Sequence, residues 1–281
     1  MKQSVPQTLL MKGHLVELNR PLVMGILNIT PDSFFSGSRT DSAASIRERI
    51  GRMVSEGVDI FDIGGYSSRP GAEDISPEEE YSRLARGLEI LKEEAPDMPV
   101  SVDTFRAGVA RRCVEEWGVD IINDISGGQL DADMWAAIAE LGCGYVLMHM
   151  RGNPATMQSL TEYEDVTAEV LEDLARKVAA LRSMGVADII VDPGYGFAKT
   201  TEQNFRLLRD QSLFRSLGCP ILTGISRKSM IFRTLGISPE ESLNGTTVLN
   251  TIALLGGADI LRVHDVKQAR ETVSLVSHLL A

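Results

Sequence analysis

Arg262 and His264 stand two residues apart in the run Leu261-Arg-Val-His-Asp265, which puts both side chains on one side of a strand. A guanidinium beside an imidazole suits a phosphate or pyrophosphate, although a strand-end ion pair with Asp265 would also account for the arginine. In Asp62-Ile-Gly-Gly-Tyr-Ser-Ser-Arg-Pro-Gly71 the glycines free the backbone, Ser67, Ser68 and Arg69 offer donors to an anion, and Pro70 stiffens the turn. Ser226-Arg-Lys-Ser229 places Lys228 at the expected start of a helix, where it can meet a phosphate or donate to a ring carbonyl. The sequence leaves both roles open. Asp192-Pro-Gly-Tyr-Gly-Phe-Ala-Lys199 joins a carboxylate, a glycine-rich turn and an aromatic ring, in neither the order of a phosphate-binding Walker loop nor the spacing of a dinucleotide fingerprint. His149 could serve as a base or metal ligand, but no paired ligand spacing accompanies it, so a packing or supporting role is expected.

The elements that must position these groups are legible as short apolar runs that each end in a polar residue. They are residues 22–27 before Asn28, 58–61 before Asp62, 100–102 before Asp103, 121–122 before Asn123, 145–148 before His149, 189–191 before Asp192, 221–225 before Ser226, and 260–263 before His264. Between them lie amphipathic stretches of helical period, such as Ile46, Ile50, Met53 and Val54, or Leu84, Leu88 and Leu91. Ser76-Pro-Glu-Glu79 and Ser238-Pro-Glu-Glu241 are expected helix starts with capping boxes, and residues 248–255 read as a helix packed on a barrel. Eight strand-helix units about 34 residues apart predict a (β/α)8 TIM barrel. A doubly wound open sheet is the alternative, but it would not explain polar residues after all eight strands. Residues 8–11 and 14–18 around Lys12-Gly13 predict a short β-hairpin ahead of the barrel. The expected organisation is residues 1–20 as that extension and 21–281 as one barrel domain. Polar strand ends can merely cap helices or make turns; taken as a set, they predict a site at the C-terminal mouth.

Composition bounds the function. The chain of 281 residues is 43% hydrophobic and 24% charged, an ordinary globular mix. A net charge of −11 argues against binding nucleic acid or anionic membrane over the whole surface. Three widely spaced cysteines suit neither a disulfide framework nor a thiolate metal site, and no apolar stretch approaches a membrane span. Residues 1–7 have no apolar leader segment, so a soluble cytoplasmic protein is expected.

In order, the chain contains Asn28-Ile-Thr-Pro-Asp-Ser-Phe34, Ser67-Ser-Arg-Pro-Gly71, Ser101-Val-Asp-Thr104, Ile122-Asn-Asp-Ile125, Leu147-Met-His-Met150, Asp192-Pro-Gly194, Ser226-Arg-Lys-Ser229 and Arg262-Val-His-Asp265. This ordered set resembles the dihydropteroate synthase family of pterin-binding barrels, from about residue 22 to the C-terminus. The resemblance implies condensation of 6-hydroxymethyl-7,8-dihydropterin diphosphate with 4-aminobenzoate, giving dihydropteroate and pyrophosphate. It assigns Asp103, Asn123, Asp192 and Lys228 to the pterin, and Asn28 to Mg2+ beside the diphosphate, with Arg69, Arg262 and His264 on the leaving group. Asp103, Lys228, Arg262 and His264 are the expected catalytic residues. Phe34, Ser68, Arg69, Pro70, Phe197 and Ser226 are assigned to the aminobenzoate pocket, although both phenylalanines could be packing residues and Ser226 a helix cap. The loops at 29–40 and 65–74 would close over the site, and a homodimer is expected.

Tyr66 stands where many relatives carry glutamate, Ser68 where threonine is commonest, and Phe35-Ser-Gly-Ser38 where an acidic, glycine-rich continuation is frequent. Ser68 keeps its hydroxyl. The other two changes bear on loop packing and sulfonamide sensitivity. Two alternatives remain: a methyltetrahydrofolate:corrinoid methyltransferase-like barrel, which needs no diphosphate clamp, and a catalytically silent pterin-binding barrel.

Overall fold

The structure is a computed structural model that describes residues 7–29, 39–66 and 74–280. It opens with β1 (Thr8–Met11) and β2 (His14–Glu17), paired antiparallel through Lys12-Gly13. Both turn residues have positive φ, +51° and +73°, as tight hairpins require. Strands and helices then alternate: β3 (Leu22–Asn28), α1 (Arg39–Glu56), β4 (Ile60–Gly64), α2 (Pro77–Glu94), β5 (Val100–Asp103), α3 (Ala107–Trp117), β6 (Ile121–Asp124) and α4 (Met134–Leu141). They continue as β7 (Gly144–Met148), α5 (Val166–Ser183), β8 (Ile189–Asp192), α6 (Thr201–Arg209), β9 (Leu222–Thr223), α7 (Ser229–Leu235), α8 (Leu243–Leu255), β10 (Ile260–Val263) and α9 (Val266–Leu280).

The strands β3 to β10 form one parallel sheet in the order β8-β7-β6-β5-β4-β3-β10-β9. A parallel bridge between Val191 and Ile221 brings the two edges together. The predicted (β/α)8 TIM barrel with its hairpin is therefore what the chain forms. The hairpin has a packing reason. Leu9 and Met11 are buried against Leu22, Met24, Ile60, Ile121, Val146, Ile190, Leu222 and Ile260, the inward residues near the N-terminal ends of the strands, so they close that end with apolar surface.

Strand alternation then builds the site. Two residues beyond each inward apolar residue the chain again faces inward, and there it carries Asp62 after Ile60, Asn123 after Ile121, Asp192 after Ile190 and Arg262 after Ile260. The register keeps them level: Asp62 pairs with Ser101, Asp103 with Asn123, and Asn28 with Gly64. The barrel interior thus changes from an apolar plug to a charged layer over a single alternation.

Two strand boundaries differ from the periodic reading. The second barrel strand is Ile60–Gly64, so Asp62 lies inside it, fully buried, and not at its end. That position is tolerated because cationic and polar side chains surround the carboxylate. The seventh barrel strand is only Leu222–Thr223; the chain then turns, with Lys228 N donating to Ile225 O and Arg227 at φ +55°. Helix starts differ too. Ser76 caps α2 by accepting from Glu79 N (3.1 Å), but the Glu79 carboxylate bonds Arg83 at 2.8 Å instead of closing the box. The reciprocal bonds of Ser238 and Glu241 do form, around a turn that precedes α8.

Candidate active site

At the C-terminal mouth Arg262 is the hub. Its Nε donates to Asp62 Oδ2 at 2.6 Å and its Nη2 to Asp103 Oδ2 at 2.7 Å. Asp62 also accepts from Ser101 Oγ (2.7 Å) and from Asn123 Nδ2 (3.2 Å). One guanidinium therefore joins three strands, β4, β5 and β10, and its partner carboxylate joins a fourth through Asn123. Burial raises the Asp103 carboxyl to about 7, against the pull of Arg262. Burial opposes the Arg262 charge, but Asp62 and Asp103 outweigh it and hold the guanidinium firmly protonated.

On the opposite wall, Asp192 is buried and accepts from Gly194 N at 2.7 Å. Desolvation raises its pKa, while Lys228 and the Gly194 N–H work the other way. Lys228 is at the N-cap position of α7, as its expected helix-start place requires. It donates to Tyr195 O, and its ammonium lies 4.6 Å from the Phe197 ring centroid. Desolvation lowers Lys228 to about 8, with Asp192 opposing. The structure thus sets the ammonium against the Phe197 ring, with the Asp192 carboxylate favouring its charge.

A third group joins β9 and β10. Ser226 Oγ contacts His264 Nδ1 at 3.0 Å and accepts from His264 N at 3.2 Å. Burial, then Arg262 and Arg227, lowers His264 to about 4, so at neutral pH it is an uncharged hydrogen-bonding ring. It adds no positive charge to the mouth. Arg227 grips Asp265 with two bonds, 2.9 and 2.7 Å, which answers the alternative of an Arg262–Asp265 pair: Asp265 is taken by Arg227. Arg49 of α1 donates to His264 O. Asn28 ends β3, half-buried, opposite Gly64. A Cβ on Gly64 would stand in van der Waals contact with it, 3.4 Å from Asn28 Oδ1.

The structure thus brings together Asp103, Asn123 and Arg262, groups Asp192, Phe197 and Lys228, and groups Ser226 with His264. Phe34, Ser68, Arg69 and Pro70 lie outside the described residues. Asp62 stands among the polar strand ends of the sequence, but residue order assigns Asp62, Arg227 and Asp265 no individual role in the site. For Asp62 the signal is present: in Ile60-Phe-Asp-Ile63 it is the lone charge in an apolar run, in phase with the inward Ile60.

The chain matches the pterin binding enzyme family over residues 24–264, which makes the mouth that of a pterin-binding barrel. It is 45% identical over 251 residues to the dihydropteroate synthase of a Synechocystis strain, covering 88% of this chain and 86% of the relative. To the dihydropteroate synthase of Escherichia coli it is 39% identical over 272 residues, 96% of this chain and 95% of the relative. The structure of the Xanthomonas albilineans dihydropteroate synthase with 4-aminobenzoic acid is similar at a TM-score of 0.90 and 35% identity, over 99% of each chain. The chain belongs to the dihydropteroate synthase family. These relatives favour the dihydropteroate synthase reading over the corrinoid methyltransferase one.

Proposed function

We infer that the protein is a transferase that condenses 6-hydroxymethyl-7,8-dihydropterin diphosphate with 4-aminobenzoate to form 7,8-dihydropteroate and pyrophosphate. The observation that carries this reading is the charged layer of Asp62, Asp103, Asn123, Asp192, Lys228 and Arg262 at the mouth of a barrel from this family. Carboxylates and amides there can match the paired N–H donors of an aminopyrimidine ring, and Lys228 its carbonyl. Arg262 and neutral His264, with Arg69 from the second loop, are the groups we assign to the diphosphate. Phe34, Phe197, Ser68, Pro70 and Ser226 are assigned to the aminobenzoate.

Loss of pyrophosphate places positive charge on the pterin methylene, and the buried carboxylates Asp103 and Asp192 stabilise that charge. The amine then attacks the carbon, held in line by the pocket, and the new C–N bond is completed as the nitrogen gives up one proton to water or to the departing pyrophosphate. We assign Mg2+ to the amide oxygen of Asn28 together with diphosphate oxygens, which suits a cation that keeps few protein ligands. When bound, the ion neutralises charge on the leaving group. Glycine at 64 puts no side chain against the Asn28 oxygen, and a hard amide oxygen fits the ion.

The test is pyrophosphate release by folded protein given both substrates and Mg2+. EDTA is expected to abolish it, and Asn28→Ala to raise the Mg2+ concentration for half-maximal rate about tenfold or more. Absence of dihydropteroate in the Mg2+ sample would overturn the reading.

We place the enzyme in the cytoplasm, supported by three unpaired cysteines, two of them buried; no helix of the described residues is long and apolar enough to cross a membrane. We also propose a homodimer. Val248, Ile252 and Leu255 recur at helical spacing on α8, and Leu275 and Leu279 on α9 are 74% and 72% exposed. Apolar faces of this kind call for a cover, and a second copy supplies one with the same chemistry. Light scattering is expected to give twice the 30.7 kDa chain mass; the mass of one chain at micromolar concentration would refute it.

A further inference from the structure

Lys199 is 4% exposed and donates to the carbonyl oxygens of Gly194 (2.9 Å) and Phe197 (3.0 Å), with a third contact to His149 Nδ1 at 3.1 Å. An ammonium has three N–H donors and no acceptor, so these contacts use all of them. His149 must then offer a lone pair at Nδ1 as a neutral ring. Its setting agrees, because burial, followed by the charge of Lys199, lowers its pKa well below the ordinary imidazole value.

The loop held in this way, residues 192–199, carries Asp192 and Phe197, and its Tyr195 carbonyl receives Lys228. It is pressed tightly against its support. Gly194 has φ +74°, and a Cβ there would stand 2.0 Å from His149 O. Gly196 N donates to Asn204 Oδ1 at 2.7 Å, and the Tyr195 hydroxyl to Gln211 Oε1 at 2.8 Å. Lys199 is a charged anchor of this loop. Desolvation, Lys228 and Arg151 disfavour its charge, whereas Asp192 and Asp173 favour it, and together they bring it to about 7. Lys177 and Arg151 are the further cations acting on His149. Lys199 in turn is one of the cations that favour the charged form of Asp192, with Lys228 and Arg262.

We propose that Lys199 and His149 are positioning residues for the condensation: their hydrogen-bonded pair clamps the 192–199 loop so that Asp192 and Phe197 meet the substrates at fixed spacing. The proposal rests on the assignment of Asp192 to the pterin. Both residues act through the loop.

Lys199→Met keeps the volume and removes the donors. It is expected to raise KM for the pterin diphosphate about tenfold, with kcat changed by less than about threefold. It should also move the acid limb of kcat/KM to higher pH, because Asp192 loses a cation that lowers its pKa. His149→Leu is expected to raise the same KM severalfold, and His149→Gln, whose amide oxygen can accept from Lys199, to recover part of that loss. A lower melting temperature with wild-type KM and pH profile would show a merely structural role and overturn the proposal. Should Lys199→Met not fold, the His149 variants decide: equal KM values for Leu and Gln overturn it. The wild type in the same assay separates two failures. A wild type that makes no dihydropteroate fails the functional reading, whereas an active wild type with indifferent variants fails only the clamp.

Discussion

Arg262→Ala is expected to lose about 3–5 kcal/mol of stability at neutral pH and most activity, because it strands the Asp62 and Asp103 carboxylates inside the barrel. Asp62 has no exposed surface, so water cannot replace the guanidinium. The pH dependence has a definite sign. Without the arginine the folded-state pKa of Asp103 rises further, so the unfolded chain, in which that carboxylate ionises freely, gains as pH increases. Destabilisation is therefore greatest above about 7, the value Asp103 already reaches with Arg262 present. It shrinks as the pH falls and Asp103 takes up a proton. Urea titrations at several pH values measure this, and an unchanged midpoint at pH 8 would refute the hub role. The motif alone suggests that this variant weakens diphosphate binding much more than binding of the bare pterin. The observed pairing predicts that both weaken, since Asp103 and Asn123 are held through the same network.

The second large effect is expected at Lys228. Lys228→Met should lower kcat/KM for the pterin diphosphate about 100- to 1,000-fold, the range for removing a donor aimed at developing or ring charge. The fold should survive, because the hydrogen bond that the substitution removes is the one to the Tyr195 carbonyl, at the edge of the mouth. In the wild type, kcat/KM is expected to fall on both sides of neutrality. On the acid side Asp103, raised to about 7, and Asp192, raised by burial, take up protons and the mouth loses its anions. Above about 8 Lys228 gives up its proton and its charge-assisted donor weakens. The methionine variant should keep the acid limb and lose the alkaline one. An alkaline limb that persists at the same pH would assign it to another group.

Much of the site is readable from residue order. Strand ends such as Asn28, Asp103, Asn123 and Asp192 lie where the periodicity places them, because a parallel barrel must bury its strands, and polar residues gather only where the strands emerge. Asp62 reads as a strand end for the same reason: a carboxylate inside an apolar run looks like a boundary until a cation is seen beside it. His149 reads as a ligand or packing residue because Lys199, its partner, is 50 positions away.

The sequence by itself determined the fold class, the face that carries the site, and the donor and acceptor types available there, because those follow from side-chain chemistry and from periods of two and 3.6 residues. Only the tertiary structure decided which charges meet. Arg262 reaches Asp62 and Asp103 across 200 and 159 positions, while the nearby Asp265 goes to Arg227. Likewise His264 becomes neutral and Lys228 is brought to about 8. Coulomb energy and desolvation depend on distance and burial in space, neither of which is written in the local order of residues.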